Sequence, residues 1–278
     1  MPLALLAAAV AMTAPAAKPP AVAPACPPRA EVPALAALRD AQVADDRGAS
    51  LPAAMKLLVA DLPAISKNAQ DDARRDWPAL CRYRADNARL HAAGMRPRVV
   101  FIGDSITENW GVADPSLFAP TTVDRGIAGQ TSGQILLRFY QDVVRLSPRV
   151  VHLNAGTNDL GVMGSTVVTD DEIVDNLRAM IDMAQANRIA VVLTGILPST
   201  GSTLFHTSGE PRRIRAINAR LSQLADERRI VFVDYAAAIG DAEGGIRAGF
   251  TNDGVHPNRA AYAAMRPLAE RAIARAGR

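Results

Sequence analysis

The sequence predicts an α/β fold in which helices cover both faces of a five-stranded parallel sheet and a helical segment precedes it. From Arg98 onward, five short runs of apolar and β-branched residues alternate with amphipathic helical stretches. Each run is apolar along nearly its whole length, which is typical of parallel strands buried on both faces. The predicted strands are residues 99–102, 122–127, 150–154, 189–196 and 230–233, and the predicted helices are 132–146, 170–187, 211–229 and 258–276.

The stretch before the first strand, residues 31–94, has a helical pattern. Apolar residues recur there at helical spacing, as at Leu35 and Leu38 and again at Leu80 and Tyr83. The helical spacing of apolar residues gives way to short strand-like runs only near Arg98, so we expect the helices to form an extension of the sheet domain. We therefore divide the chain into a signal peptide with a Pro/Ala-rich leader at 1–25, a helical N-terminal extension at 26–97 and the α/β domain at 98–278.

The composition excludes several functional classes. Of the 278 residues, 49% are hydrophobic and 21% are charged, which is enough apolar sequence for a full core. The chain has 31 Lys and Arg against 28 Asp and Glu, so the net charge of +3 is too small to predict a nucleic-acid partner. The 2 Trp, 4 Tyr and 6 Phe are too few for platforms on which bases stack.

The N-terminus resembles a secretory signal peptide. Residues 3–14 form an apolar run that is shorter than the roughly 20 residues of a membrane helix, and small residues around Pro15 suit cleavage. Met1 and Pro2 supply no basic charge, so the start of the signal is atypical. We expect a periplasmic or secreted protein without stable membrane insertion, and a disordered tail on a cytosolic protein is the alternative.

The two cysteines are Cys26 and Cys81. A single disulfide between them would suit an oxidising compartment, and two unpaired thiols are equally compatible with the sequence. Cys26 also follows a small-residue stretch, but the leucine expected three positions before a lipid-modified cysteine is missing, which disfavours a lipid anchor.

Polar residues follow the first three predicted strands. After the first comes Gly103-Asp104-Ser105, which puts a serine hydroxyl where a helix begins, beside N–H groups that can stabilise an oxyanion. After the second, Gly129 allows a backbone N–H to approach a ligand closely, and after the third, Asn158 supplies an amide. Each has a structural alternative, since Asp104 or Ser105 suits an N-cap and Asn158 suits an Asx turn.

The last of these motifs spans residues 251–257, just before the final predicted helix. The three-residue spacing across this turn lets the Asp253 carboxylate reach the imidazole of His256, and Pro257 suits the start of a helix. An orienting carboxylate, an imidazole base and a distant serine meet the requirements of acyl transfer. The chain has no Gly-x-Ser-x-Gly motif, which argues against an α/β-hydrolase.

These four motifs, in this order, resemble the SGNH/GDSL hydrolase family over residues 98 to about 274. The resemblance implies a flavodoxin-like three-layer α/β/α sandwich. It further implies that Ser105 is the nucleophile, that Asp253 and His256 complete a triad, and that Ser105, Gly129 and Asn158 bind the oxyanion. The wording of GDSITENW and RGIAGQT is similar to the acetylesterase-like and platelet-activating-factor acetylhydrolase-like branches.

The implied activity is that of a serine esterase that removes short acyl groups, acetyl above all, from carbohydrates or small molecules. Lysophospholipase or arylesterase activity on longer acyl esters is the alternative, and a non-catalytic binding module on the same fold is another. We expect no cofactor and no metal, because no His, Cys or carboxylate cluster has ligand spacing. The sequence carries no signal for an oligomeric state.

Two further residues are candidate substrate contacts. Trp110 follows Ser105 on the same predicted helix, where it could form the floor of a pocket or pack in the core. His206 lies in the long irregular loop 198–211, which is a candidate wall of the pocket. A third aromatic ring, His152, lies on a predicted strand and is expected to be a core histidine.

Overall fold

The computed structural model describes residues 26–27, 29–118, 120–161, 168–199 and 211–278. The predicted signal peptide, His206 and most of loop 198–211 lie outside these residues. The strands are β1 (Val99–Gly103), β2 (Thr122–Gly126), β3 (Val150–Leu153), β4 (Ala190–Thr194) and β5 (Val231–Val233). Each neighbouring pair is parallel and the spatial order is β2-β1-β3-β4-β5, which is the order of flavodoxin-like sheets. The predicted fold class is therefore confirmed.

Helices precede the sheet and then alternate with its strands. Two of them, which follow β2 and β3, begin with capping boxes, in which Thr131 pairs with Gln134 and Thr169 pairs with Glu172. None of the described helices is long and apolar enough to cross a membrane. The helices are α1 (Pro33–Val43), α2 (Leu51–Ala60), α3 (Leu62–Arg75), α4 (Arg84–Ala92), α5 (Ser105–Ala113), α6 (Ser132–Asp142), α7 (Asp170–Ala186), α8 (Pro211–Arg228), α9 (Ala236–Ile239) and α10 (Arg259–Ala276).

The sheet separates two apolar layers, which explains why most of its strands are nearly continuous apolar runs. Along β1, Val100 and Ile102 belong to a core shared with α6, α7 and α8, while Val99 and Phe101 belong to a core shared with α5 and α10. Successive strand residues point to opposite faces, and here both faces are covered. In β1 no polar position is left for an alternating pattern, whereas β2, with the sequence TVDRG, is not the continuous apolar run that the sequence analysis expected.

Two predicted elements end two or more residues earlier than expected, while the others agree with the structure to within one residue at each end. The strand predicted at 189–196 ends at Thr194, because the Asn218 side chain on α8 pairs with the backbone N–H and carbonyl of Ile196 at 2.8 Å each. The helix predicted at 132–146 ends at Asp142, where Val143 leaves the helical conformation with φ −125° and a short 3-10 turn follows. Side-chain competition for backbone groups is not visible in hydrophobic spacing.

The N-terminal helices are attached to the sheet domain. Cys26 and Cys81 form a disulfide with Cα atoms 5.7 Å apart, which answers the pairing that the sequence left open. The hydroxyl of Tyr83 donates to the backbone carbonyl of Gly126 at the end of β2. Helix α1 lies against α5, the helix that follows β1. The extension therefore packs beside the carboxyl ends of the first strands.

The strand order reverses at β1, which lies between β2 and β3. The chain leaves β1 toward β2 on one side and returns to β3 on the other, so the loops after β1 and β3 diverge. In open α/β sheets this reversal creates a crevice at the carboxyl ends of the strands, where ligands bind. The loops that carry Ser105 and Asn158 leave β1 and β3 at this crevice.

Candidate active site

Ser105 is the first residue of α5 and follows β1 after a single intervening residue. That residue, Asp104, is the N-cap, and its carboxylate accepts a hydrogen bond of 2.9 Å from the backbone N–H of Ile106. The turn is tight, because a Cβ atom at Gly103 would lie 2.5 Å from the carbonyl oxygen of Asn154. Ser105 is half-buried, so its hydroxyl is held at a rigid corner that solvent still reaches.

A chain of hydrogen bonds joins Ser105 to the loop before α10. Ser105 Oγ lies 2.9 Å from His256 Nε2, and His256 Nδ1 lies 2.7 Å from Asp253 Oδ2. The serine and histidine are 151 residues apart in the sequence, yet their contact has the length of an ordinary hydrogen bond. The structure therefore brings together the three residues that the sequence proposed as a triad.

The Asp253 carboxylate is oriented by its own loop. Its Oδ1 accepts from the backbone N–H groups of Val255 at 3.0 Å and His256 at 2.8 Å, which leaves Oδ2 to face the imidazole. A bridge between Thr251 and Pro257 closes the turn, and Asn258 caps the following helix. The Asp-x-x-His spacing therefore works through a tight turn whose amides fix the carboxylate.

The charges of this pair support one another. Burial by itself would raise the pKa of Asp253, but the attraction of His256 and its hydrogen bonds outweigh burial and lower that pKa to about 2. Burial would lower the pKa of His256, but the charge and hydrogen bond of Asp253, with the charge of Asp104, raise it. Asp253 is thus ionised at neutral pH, and His256 is a stronger base than an isolated imidazole.

Asn158 lies beside the serine corner. It begins a short 3-10 turn after β3, and its Nδ2 donates to the carbonyl of Gln130 at 2.9 Å and to Asp104 Oδ2 at 3.4 Å. Burial raises the pKa of Asp104 to about 6, although its hydrogen bond from Ile106 and the charge of His256 oppose this shift. One amide therefore ties the loop after β2 to the corner that holds Ser105.

Gly129, next to Gln130, is required for its backbone conformation. Its φ of +80° lies in the left-handed region, whereas a Cβ atom there would meet nothing within 4 Å. A side chain would therefore be disfavoured by backbone strain and not by crowding. The backbone N–H of the preceding residue, Ala128, donates to Glu108 Oε2 at 2.8 Å, which fixes the approach to this turn.

A fourth polar residue lies at the triad, and the sequence analysis missed it. Gln42, near the end of α1, is 4% exposed, and its Nε2 lies 3.1 Å from Asp253 Oδ2. A possible signal was a polar residue between the buried apolar residues Ala41 and Val43 in an otherwise Ala-rich helix. That signal indicates burial, but it does not indicate what the amide contacts.

The structure corrects the proposed role of Trp110. Its side chain is 1% exposed and packs in the core against Phe101, Tyr235 and Tyr262, so it does not line a surface pocket as a substrate contact. Spacing placed it correctly on the helix after Ser105, but the helix turns it toward the sheet. The other candidate contact, His206, lies outside the described residues.

His152 is the core histidine that the sequence predicted. It is 1% exposed, stacks on Phe101 with ring centroids 4.3 Å apart, and its Nε2 lies 2.7 Å from the Tyr235 hydroxyl. Burial lowers its pKa to about 3, so it is neutral at physiological pH. Within the described part of the chain, no group of three or more His, Cys, Asp or Glu side chains is arranged to hold a metal ion.

Comparison with known proteins places this geometry in a family. The family model of the GDSL-like Lipase/Acylhydrolase family matches residues 101–264, which is more than half of the chain. No curated protein is similar enough to count as a relative. The matched range contains the serine corner, the loops of Gly129 and Asn158, and the Asp253–His256 turn.

Solved structures agree with this match. A proposed acylhydrolase of Bacteroides fragilis is 37% identical, with 73% of this chain and 100% of that chain covered and a TM-score of 0.68. A GDSL-like lipase of Bacteroides thetaiotaomicron is 36% identical, with 72% and 100% covered and a TM-score of 0.67. An acetylxylan esterase of Geobacillus stearothermophilus shares the fold at 22% identity, with 64% and 94% covered and a TM-score of 0.52. The chain therefore belongs to the GDSL-like lipase/acylhydrolase family of ester hydrolases.

Proposed function

We propose that the protein is a serine esterase that hydrolyses carboxylic esters through an acyl-enzyme on Ser105. The observation that carries this proposal is the continuous hydrogen-bond chain from Ser105 Oγ through His256 to Asp253, with contacts of 2.9 and 2.7 Å. A nucleophile within reach of a base, with the base oriented by a third group, is the arrangement that activates a serine. The half-buried position of Ser105 leaves it open to a substrate.

In the first half of the reaction, Ser105 Oγ attacks the ester carbonyl carbon and its proton passes to His256 Nε2. The carbonyl oxygen takes up the negative charge as the tetrahedral intermediate forms. When that intermediate collapses, the bond to the alcohol oxygen breaks and the alcohol leaves with the proton from His256. The acyl group stays on Ser105. Asp253, ionised throughout, stabilises the imidazolium and keeps its Nδ1–H in place.

In the second half, a water molecule takes the place of the alcohol. His256 accepts a proton from this water, whose oxygen attacks the acyl carbon, and a second tetrahedral intermediate forms. The bond to Ser105 Oγ then breaks, His256 returns the proton to the serine, and the carboxylic acid leaves. The enzyme regains its starting state, and no redox or group-transfer partner is required.

In both tetrahedral intermediates the negatively charged oxygen must be stabilised by hydrogen-bond donors. We assign this role to the backbone N–H groups of Ser105 and Gly129 and to the Asn158 amide. Ser105 is at the start of α5, where N–H groups have no partner within the helix. One hydrogen of Asn158 Nδ2 is held by the Gln130 carbonyl at 2.9 Å, and we assign the other, whose contact with Asp104 Oδ2 is long at 3.4 Å, to the oxyanion. Preorganised donors of this kind are effective because they need no rearrangement when charge develops.

Replacing Asn158 by alanine is expected to lower kcat by about 10²- to 10³-fold, because one oxyanion donor is removed. KM should change little, since the donor acts mainly on the developing charge. Kinetics on a nitrophenyl acetate substrate would measure both values, with thermal unfolding as a check on folding. Asn218→Ala is the matched control, because that amide contacts only the backbone of Ile196. An unchanged kcat in the Asn158 variant would remove this residue from the mechanism.

For the substrate, we propose short acyl esters, acetyl above all, of carbohydrates or small molecules. The motif sequences GDSITENW and RGIAGQT support this choice, because they resemble those of the acetylesterase-like branch. The fold shared with the acetylxylan esterase of Geobacillus stearothermophilus is compatible with it. Longer acyl esters remain the alternative substrate class.

Hydrolysis of nitrophenyl esters from acetyl to palmitoyl tests the proposal. We expect kcat/KM to fall by at least about tenfold beyond butyryl, because a short acyl pocket has no room for the added methylenes. A pocket that buried them would instead gain about 0.8 kcal/mol for each methylene, and kcat/KM would rise with acyl length. A long-chain optimum would instead favour a lipid substrate. If no ester in the series is hydrolysed, the protein is a binding module on this fold and the serine-esterase proposal is wrong.

We also propose that the protein works in an oxidising compartment, the periplasm or the extracellular space. The Cys26–Cys81 disulfide supports this location, since such bonds persist mainly in oxidising environments. It joins the residues before α1 to the turn before α4, so that it closes α1, α2 and α3 into one covalent loop.

A further inference from the structure

Gln42 on α1 is in contact with both members of the acid–base pair. Its Nε2 lies 3.1 Å from Asp253 Oδ2 and 3.0 Å from His256 Nδ1, and its Oε1 accepts from Asn109 Nδ2 at 2.9 Å. The side chain is 4% exposed, so water does not compete for these contacts. The carboxylate oxygen that accepts from the histidine thus accepts a second hydrogen bond from the glutamine.

The orientation of the amide follows from its neighbours. Asp253 is ionised and offers only acceptors, so the NH₂ group of Gln42 must face it. The opposite orientation would place the Gln42 carbonyl oxygen 3.1 Å from a carboxylate oxygen, with no proton between them. The contact between Gln42 Oε1 and Asn109 Nδ2 agrees with this choice.

We propose that Gln42 is a positioning residue, through which the N-terminal helical segment completes the acid–base pair of the esterase. This inference rests on the serine-esterase function proposed above. The amide holds the Asp253 carboxylate in the plane of the imidazole, and its partial positive charge opposes the imidazolium. His256 is thereby kept free to accept a proton from Ser105 near neutral pH.

The turn at 251–257, which carries Asp253 and His256, also holds the end of α1. Asn252, the residue before Asp253, donates its amide to the backbone carbonyls of Ala41 and Ala44 at 2.8 Å and of Gln42 at 3.2 Å. These carbonyls belong to the last turn of the helix, which lacks partners of its own. The loop that carries Asp253 and the helix that carries Gln42 are therefore fixed to each other at two points.

A second contact connects α1 to the other side of the site. Arg39 forms an ion pair of 2.6 Å with Glu108 Oε1, while Glu108 Oε2 accepts from the backbone N–H of Ala128, next to Gly129. Helix α1 therefore touches both the acid–base pair and the support of the proposed oxyanion turn. All of α1 lies before residue 101, where the family match begins, so the family motifs gave no reason to expect its involvement.

Kinetics of Gln42→Met test the positioning role, because methionine fills a similar volume without a hydrogen-bond donor. We expect kcat to fall about tenfold with KM within about twofold of the unaltered enzyme, since a hydrogen bond to a charged group is lost and the substrate contacts are kept. Gln70→Met on α3 is the control for the chemical change, because Gln70 is exposed. Leu51→Ala is the control for stability, because it loosens the α1–α2 packing without touching Asp253.

Titration of the histidines by NMR gives a readout that needs no substrate, and the chain has only 4 histidines to assign. The titratable groups that face His256 are Asp253 and Asp104, and Tyr262 faces both carboxylates. All three remain in the variants. We expect the pKa of His256 to rise by about half a unit or more in Gln42→Met, because a partial positive charge beside the imidazolium is removed. In the pH profile of kcat/KM, the midpoint of the acid limb should shift to higher pH by the same amount.

The inference is overturned if Gln42→Met keeps both kcat and the pKa of His256. It is also overturned if Leu51→Ala, with the same thermal midpoint as Gln42→Met, loses as much kcat as that variant, since the role of Gln42 would then be structural. If the unaltered enzyme hydrolyses no ester, the proposed function fails, and an unshifted His256 titration in Gln42→Met would remove the positioning role independently.

Discussion

Replacement of Ser105 by alanine is expected to lower kcat on nitrophenyl acetate by about 10⁴-fold or more. The substitution removes the Oγ atom that attacks the ester and nothing that α5 needs to form. Asp104 still caps the helix through the Ile106 N–H, and alanine is favourable in a helix. The loss should therefore be chemical, with the thermal midpoint close to that of the unaltered protein.

The measurement pairs steady-state kinetics with mass spectrometry of protein quenched during turnover. The unaltered enzyme should show an acyl adduct on the peptide that contains Ser105, and the alanine variant should show none. Ser222→Ala is the control, because this serine lies on α8, away from β1 and the turn before α10. A Ser105 variant that retains more than a tenth of the activity would mean that another group carries the nucleophile, and the proposed mechanism would be wrong.

The sheet could be predicted from sequence because its signal is local. A strand buried on both faces is apolar at most consecutive positions, so the runs that form β1, β3, β4 and β5, separated by helical stretches, indicate a covered parallel sheet. The motif residues could be placed for a related reason. The carboxyl ends of parallel strands lie at one edge of the sheet. The segments after β1 and β3, which carry Ser105 and Asn158, therefore had to lie at the same edge.

The contribution of α1 could not be predicted in the same way. Gln42 and Asp253 are 211 residues apart, and nothing in an Ala-rich helix indicates which distant group an amide will contact. Trp110 shows the complementary problem, because helical spacing gave its position in sequence but not the side of α5 that faces the core. Both outcomes depend on how α1 and α5 pack, which is a tertiary property.

Replacing Asp253 by asparagine is expected to lower kcat by about 10⁴-fold, although the two residues have almost the same shape. Oδ1 of Asp253 accepts from the N–H groups of Val255 and His256, so the asparagine oxygen must occupy that position. Its NH₂ group then faces His256 Nδ1, which has to become an acceptor. The imidazole proton moves to Nε2, where it points at Ser105 Oγ, and the histidine can no longer take the serine proton.

Two measurements separate this effect from unfolding. Asp234→Asn makes the same change at an exposed residue that accepts from the Ala236 N–H, and kcat should stay within about twofold because that carboxylate is away from the triad. For Asp253, folding lowers the pKa to about 2, so its charge stabilises the fold above the unfolded value near 4, and this contribution is lost as the pH falls toward 2. The asparagine variant should therefore unfold more easily at neutral pH, with a smaller difference near pH 2. If kcat is retained while stability falls in this manner, the carboxylate is structural and His256 is oriented by another group.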